Sequence, residues 1–138
     1  MNLATSLTIN ANRHPEKMCI TCEDRTYSYK EFNQEVNRLA NGLSSLGLNK
    51  GEKVGLFMKN SDYFAIALYA IWKVGLVVVP INFRLTAMET HYILEQSDCV
   101  ALFCDEELEE TVVKAAEGLN VLKHIIVHSS ASNESHLS

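Results

Sequence analysis

The stretch from Tyr63 to Pro80 constrains the fold more than any other part of the chain. Tyr63 to Val74 is apolar nearly all round, as a helix buried on most sides must be. Gly75 is placed to end it, because glycine enters the left-handed region without a Cβ penalty. Leu76 to Pro80 then reads as an uninterrupted apolar run rich in β-branched residues, the pattern of a strand buried on both faces. A membrane span is a poor alternative. Tyr63 to Val79 is short for a bilayer, and Lys73 lies inside it.

The same alternation continues on either side. Leu3 to Asn12 is expected to be a first helix, ended at His14-Pro15 because the residue before a proline leaves the helical region. Lys17 to Cys22 and Arg25 to Ser28 form an expected hairpin around Glu23-Asp24. Ser28 and Glu31 make a capping box, followed by Phe32, Val36, Leu39, Ala40, Leu43 and Leu46 at spacings of three and four. That predicts an amphipathic helix over 29–46, stopped at Gly47. Lys53 to Met58 is a short apolar strand, and Asn60-Ser61-Asp62 offers an N-cap for the apolar helix. Thr86 and Glu89 form a second capping box, opening a helix to about Gln96. Cys99 to Cys104 is a strand, Leu108 to Gly118 a helix with an acidic start, and Val121 to His128 a last strand. Strands alternating with helices, and apolar throughout, predict an α/β fold: a mostly parallel sheet with helices on both faces, preceded by a short hairpin. One domain over residues 1–128 is expected. The Ser-rich segment 129–138 has no periodicity and is expected to lack regular structure.

Composition excludes some roles. A chain of 138 residues with 47% hydrophobic residues can bury a core. A net charge of −5 argues against a nucleic-acid surface, which needs clustered Lys and Arg. Met1 to Asn12 lacks the basic start and apolar block of a secretory signal, so a cytoplasmic location is expected. Of the four cysteines, Cys19 and Cys22 form a C-x-x-C, but on a strand an offset of three sends them to opposite faces. Cys99 and Cys104 add no second C-x-x-C, so no zinc site is expected.

The chain also lacks the motifs of phosphate chemistry. No Gly-rich loop joins a strand to a helix, and Lys50-Gly51 is a turn. Asp62 opposes an anion at the Asn60-Ser61-Asp62 turn. His14, His91, His124, His128 and His136 pair with no Ser, Cys or carboxylate in a nucleophile pattern. Asp105 to Glu110 is spaced wrongly for a calcium loop and reads as a solvated helix start. Arg84 follows a strand end, where open α/β sheets place ligands, although an ion pair with a neighbouring acid also accounts for it. Asn82 fits either a turn or a ligand contact. No catalytic, cofactor-binding or metal residue is assigned.

Three stretches carry a family resemblance. They are Thr26-Tyr27-Ser28-Tyr29-Lys30-Glu31-Phe32; Asn37-Arg38-Leu39-Ala40 through Gly47 and Lys50-Gly51-Glu52-Lys53-Val54 to Asn60-Ser61; and Gly75 to Thr86, continuing to Tyr92-Ile93-Leu94 and Ser97-Asp98. In order and spacing they resemble the adenylate-forming (AMP-binding) enzymes, over about residues 3–128. Pro80-Ile81-Asn82 with Arg84-Leu85-Thr86 is similar to the acyl-CoA synthetases, fatty-acid-CoA ligases in particular. The resemblance implies a subdomain of the large N-terminal domain of such a ligase. The parent would convert a fatty or other carboxylic acid, Mg-ATP and CoA to acyl-CoA, AMP and pyrophosphate through an acyl-adenylate. The family's phosphate loop, ribose-binding Asp and catalytic Lys have no counterpart in these residues. This chain alone is therefore expected to be inactive, with no cofactor of its own and the remainder of the parent enzyme as its partner. Two further readings stand beside that one. The first is a stand-alone binding or assembly module, including a homo-oligomer. The second is a redox protein using Cys19 and Cys22.

Overall fold

A computed structural model describes residues 18–22, 25–59, 61–129 and 134–137, with side chains described from 27 to 129. The expected helix at Leu3 to Asn12, the Glu23-Asp24 turn, His14 and Asn60 lie outside the described residues. So do the side chains of Cys19, Cys22 and His136. The described residues fall into two compact units, one within Met1–Lys50 and Asn60–Leu76, the other within Gly51–Lys59 and Val77–Ser138.

In the first unit, β1 (Met18–Cys22) pairs antiparallel with β2 (Arg25–Ser28), giving the expected hairpin. Helix α1 (Tyr29–Ser45) starts at the capping box: Ser28 Oγ accepts from the Glu31 N–H at 3.1 Å, and the Ser28 N–H donates to Glu31 Oε1 at 2.9 Å. Its buried stripe is Phe32, Val36, Leu39, Ala40 and Leu43. Each fully buried Phe or Leu contributes about 1.5–3 kcal/mol by leaving water. Gly47 follows with φ +74°. Helix α2 (Asp62–Lys73) is capped by Ser61, whose Oγ accepts from the Phe64 N–H. Aromatic and polar contacts join β2 and the two helices. Tyr27, Phe32, Tyr69 and Trp72 meet edge to face in series, with centroids 6.1, 5.7 and 5.5 Å apart. The Tyr27 hydroxyl donates to Asp62 Oδ2 at 2.6 Å, and Lys73 Nζ donates to Asn37 Oδ1. Burial, with help from the Glu35 charge, pushes the Tyr63 phenol well up. Gly75 takes φ +80° with Lys50 Cγ 2.9 Å from where a Cβ would stand.

The second unit is a sheet in the order β4-β3-β5-β6-β7. Strands β3 (Lys53–Phe57), β4 (Val77–Pro80), β5 (Ala101–Asp105) and β6 (His124–Ser129) are parallel. One face carries Phe57, Leu102, Cys104 and Val127. It packs against Leu94 of α3 (Ala87–Ser97) and Val112 and Ala115 of α4 (Glu109–Ala116). On the opposite face Val54, Leu56, Ala101, Phe103 and Ile126 are also fully buried. Gly55 faces the helix side in register with Leu102 and Val79, where a Cβ would stand 2.6 Å from Leu102 Cδ1 and 3.2 Å from Ile81 Cδ1. Thr86 and Glu89 form the expected capping box on α3. Asp98 closes that helix in the left-handed region with φ 56°.

Three expectations need correction. Strand β4 is not buried: it is the sheet's edge, and Val77 is 45% exposed. Position in the sheet decides this, since an edge strand and a central one share the same apolar run. Pro80 fits the edge. The N–H groups of Val77 and Ile81 donate to the carbonyls of Glu52 and Leu56, so the N–H groups of the even-numbered positions face outward and the missing proline N–H costs no ladder bond. The acidic helix is shorter than expected and enters through a 3₁₀ turn over Glu106–Leu108. Finally, the segment from 129 is not wholly irregular. Ser129 ends β6, and β7 (Glu134–Leu137) pairs antiparallel with it, covering what would be an open edge; 130–133 and 138 lie outside the described residues.

Cys99 and Cys104 are both free and buried. Burial, reinforced by Glu109 and Asp105, pushes the Cys104 thiol up to about 12. The native state therefore keeps a proton that the unfolded chain releases from about pH 9 upward. Stability is present below that point and falls as pH rises toward 12, by at most about 1.4 kcal/mol per pH unit from this group. The urea midpoint should fall from pH 8.5 to pH 10.5 more steeply in the native sequence than in Cys104→Val; equal slopes would contradict this. Separately, Gly55→Ala should cost about 1–3 kcal/mol by overpacking, and Leu102→Val, which removes the clashing Cδ1, should recover part of that loss in a double-mutant cycle.

Candidate functional site

Parallel strands all end on one edge, and in open α/β sheets that carboxyl edge is where ligands bind. Here it is formed by Met58-Lys59 after β3, Ile81 to Leu85 after β4, Asp105 to Glu107 at the end of β5, and Ser129 at the end of β6. The Lys59 N–H donates to Asp105 Oδ2 at 2.9 Å, and Lys59 Nζ lies 2.8 Å from Glu107 Oε1. The same ammonium stands 5.9 Å from the Phe83 ring centroid. Ser129 Oγ donates to Glu106 Oε2 at 3.0 Å. The edge is thus tied together by contacts between strand ends.

Arg84 also stands over the Phe83 ring, with its guanidinium carbon 4.9 Å from the ring centroid. It is exposed, and no ion pair holds it among the described residues. The expected pairing with a neighbouring acid is therefore replaced by a cation–π contact, worth about 0.5–1 kcal/mol at an exposed position. Asn82 takes the turn role: its Oδ1 accepts from the Arg84 N–H at 2.9 Å, and its carbonyl accepts from the Leu85 N–H at 3.1 Å. This double turn fixes the backbone that carries Phe83 and Arg84.

The remaining sequence candidates are structural in their contacts. Of the run from Asp105 to Glu110, Asp105, Glu106 and Glu107 fasten the sheet edge rather than merely facing water, and Glu110 approaches Lys114 at 3.9 Å. His91 Nδ1 lies 2.7 Å from the Ala115 carbonyl oxygen, so that nitrogen carries the proton and caps the last turn of α4. His124 and His128 sit half-buried on β6. Gly51 has φ +89°, as a turn glycine does. No group of three or more potential metal ligands occurs among the described residues. No described helix is long and apolar enough to cross a membrane. Sequence reasoning missed Lys59 and Phe83, although each stands one to three residues past a strand end, where this edge had to form.

The arrangement offers an exposed cation on an aromatic ring at a carboxyl edge.

The model of the AMP-binding enzyme family matches residues 7–138. The fatty acid–[acyl-carrier-protein] ligase ScoC of Streptomyces coeruleorubidus is 35% identical over 112 residues, which is 81% of this chain and 22% of that protein. A medium/long-chain-fatty-acid–CoA/3-oxocholest-4-en-26-oate–CoA ligase of Mycobacterium marinum is 31% identical over 120 residues, again 22% of its length. Among solved structures, the anthranilate CoA ligase AuaEII in complex with anthranoyl-AMP superposes with a TM-score of 0.86 at 28% identity, covering 92% of this chain and 25% of that one. The N-terminal domain of FACL13 from Mycobacterium tuberculosis superposes with a TM-score of 0.81 at 28% identity, covering 95% and 34%. The chain thus spans about a fifth of the length of these curated relatives. Its sequence and its fold agree, and the chain belongs to the family of AMP-binding, adenylate-forming enzymes.

Proposed function

We propose that these residues form an N-terminal scaffold of an ATP-dependent acyl-CoA synthetase acting on a fatty or related carboxylic acid. In the first half-reaction the carboxylate attacks the α-phosphorus of ATP, giving acyl-adenylate and pyrophosphate. In the second, the CoA thiol attacks the acyl carbon and AMP leaves. Mg-ATP and CoA are cosubstrates of the parent enzyme, and no residue of this chain is assigned to either. The observation that carries the reading is the family match over residues 7–138, joined to a carboxyl edge that presents an exposed cation. Arg84 is the residue of that edge best suited to an anionic reactant, because its guanidinium is exposed and oriented by Phe83 and the Asn82 turn. The reading also places the chain in the cytosol, where Cys99 and Cys104 stay reduced.

One observation favours a second reading, that of a binding or assembly module. Met88 and Tyr92 are 83% and 62% exposed and lie one turn apart on α3, on one face. Fatty-acid-dependent ATP–pyrophosphate exchange by the purified chain separates catalysis from scaffolding. The expected result is no exchange above background at any acid chain length. Measurable exchange would contradict the proposal, because it requires a complete adenylation site within these residues.

A further inference from the structure

Asn41-Gly42 is the one Asn-Gly pair in the chain. In an open chain such a pair modifies itself readily, because glycine leaves its own nitrogen unobstructed and its backbone free to turn. The Gly42 nitrogen attacks the Asn41 side-chain Cγ. The new N–C bond closes a five-membered imide, and the side-chain nitrogen leaves as ammonia, carrying the Gly42 proton. Water then opens the imide at one of its two carbonyls. One product is aspartate. The other is isoaspartate, whose backbone runs through the former side chain and is longer by a methylene.

Here the pair lies inside α1 rather than in a loop. Asn41 belongs to the exposed stripe of Gln34, Arg38, Asn41 and Ser45, so its amide is open to water. Its backbone is closed. A helical ψ of about −42° does not present the Gly42 nitrogen to the Asn41 carboxamide carbon, and the helix engages the Gly42 N–H with the Arg38 carbonyl. The residues on either side are anchored, with Ala40 5% and Leu43 1% exposed. The helix end is tied down as well. Ser45 Oγ donates to the Gly42 carbonyl at 2.6 Å, and the N–H groups of Leu46 and Gly47 donate to the Leu43 and Ser44 carbonyls at 3.1 and 3.2 Å. Against these contacts, Gly42 itself weakens the helix at this point.

We propose that α1 is a latch over a self-modification site: Asn41-Gly42 is inert while the helix is closed, and each opening of its C-terminal part exposes the pair to imide formation, which ammonia loss makes irreversible. Modification then keeps the latch open. The added methylene of isoaspartate carries Leu43 out of register with Phe32, Val36, Leu39 and Ala40, the rest of the buried stripe. Either product also places a carboxylate near the negative end of the helix, whose last turn has no basic residue. Arg38, one turn back, already meets Glu35 at 3.4 Å. The reaction needs water and no other partner, so it proceeds whether or not the chain binds a ligand at the carboxyl edge.

The test is incubation of the full chain in mildly alkaline buffer beside a synthetic peptide of residues 38–45, with peptide mass spectrometry reading conversion of Asn41. The peptide is expected to convert, and the folded chain to convert more slowly by about tenfold or more, since opening must release buried Leu43. Leu43→Val, which removes a methylene from the buried stripe, should raise the rate in the folded chain by about threefold or more. Urea below the unfolding midpoint should raise it in the native sequence too, which keeps the test open if that variant does not fold. Chain converted in urea and then refolded should have lost amide protection from Ala40 to Ser45. Conversion of the folded chain as fast as the peptide, a folded-chain rate unmoved by urea below the midpoint, or full protection in the converted chain would each overturn the proposal.

Discussion

Burial of both faces of β3 and β5 is the constraint on which the second unit depends. Every backbone N–H and C=O of a strand covered on both sides must find its partner within the sheet. β3 satisfies this between β4 and β5, and β5 between β3 and β6. Their side chains can then be apolar on both faces: Val54, Leu56, Phe57, Leu102, Phe103 and Cys104 are all fully buried. Gly55 is where this packing is tightest, with no room for a Cβ between Leu102 and Ile81. The helices on one face, the positions of the strand ends and the character of the carboxyl edge all follow from that central pair.

The local signals were legible because each is a short-range physical requirement. Ser28 with Glu31 and Thr86 with Glu89 satisfy helix N–H groups within one turn, and both boxes form. Gly47 and Gly75 take positive φ where helices had to stop. Information that depends on partners distant in the chain was not legible. The run at Val77 to Val79 reads as buried, yet only the strand order makes it an edge. The Lys59–Asp105 contact joins residues 46 apart, and the His91–Ala115 contact depends on two helices lying side by side.

The candidate site was only half legible for the same reason. Arg84 and Asn82 could be singled out because a strand end precedes them, and the Asn82 turn role is realised. Arg84's stack on Phe83 and the Lys59 cluster arise where several strand ends converge, a geometry no single segment encodes. The chain spans about a fifth of the length of the curated relatives it matches, and the match runs through both of its compact units.

Native-state hydrogen exchange tests the central claim most directly. Amides of Val54 to Phe57 and Ala101 to Cys104 should exchange only through global unfolding, with opening free energies equal to that of the whole chain. The Val78 amide, which faces the sheet's open edge, should exchange far faster. Amides of β3 or β5 exchanging as quickly as Val78 would show that the doubly buried strands are not what holds this structure together.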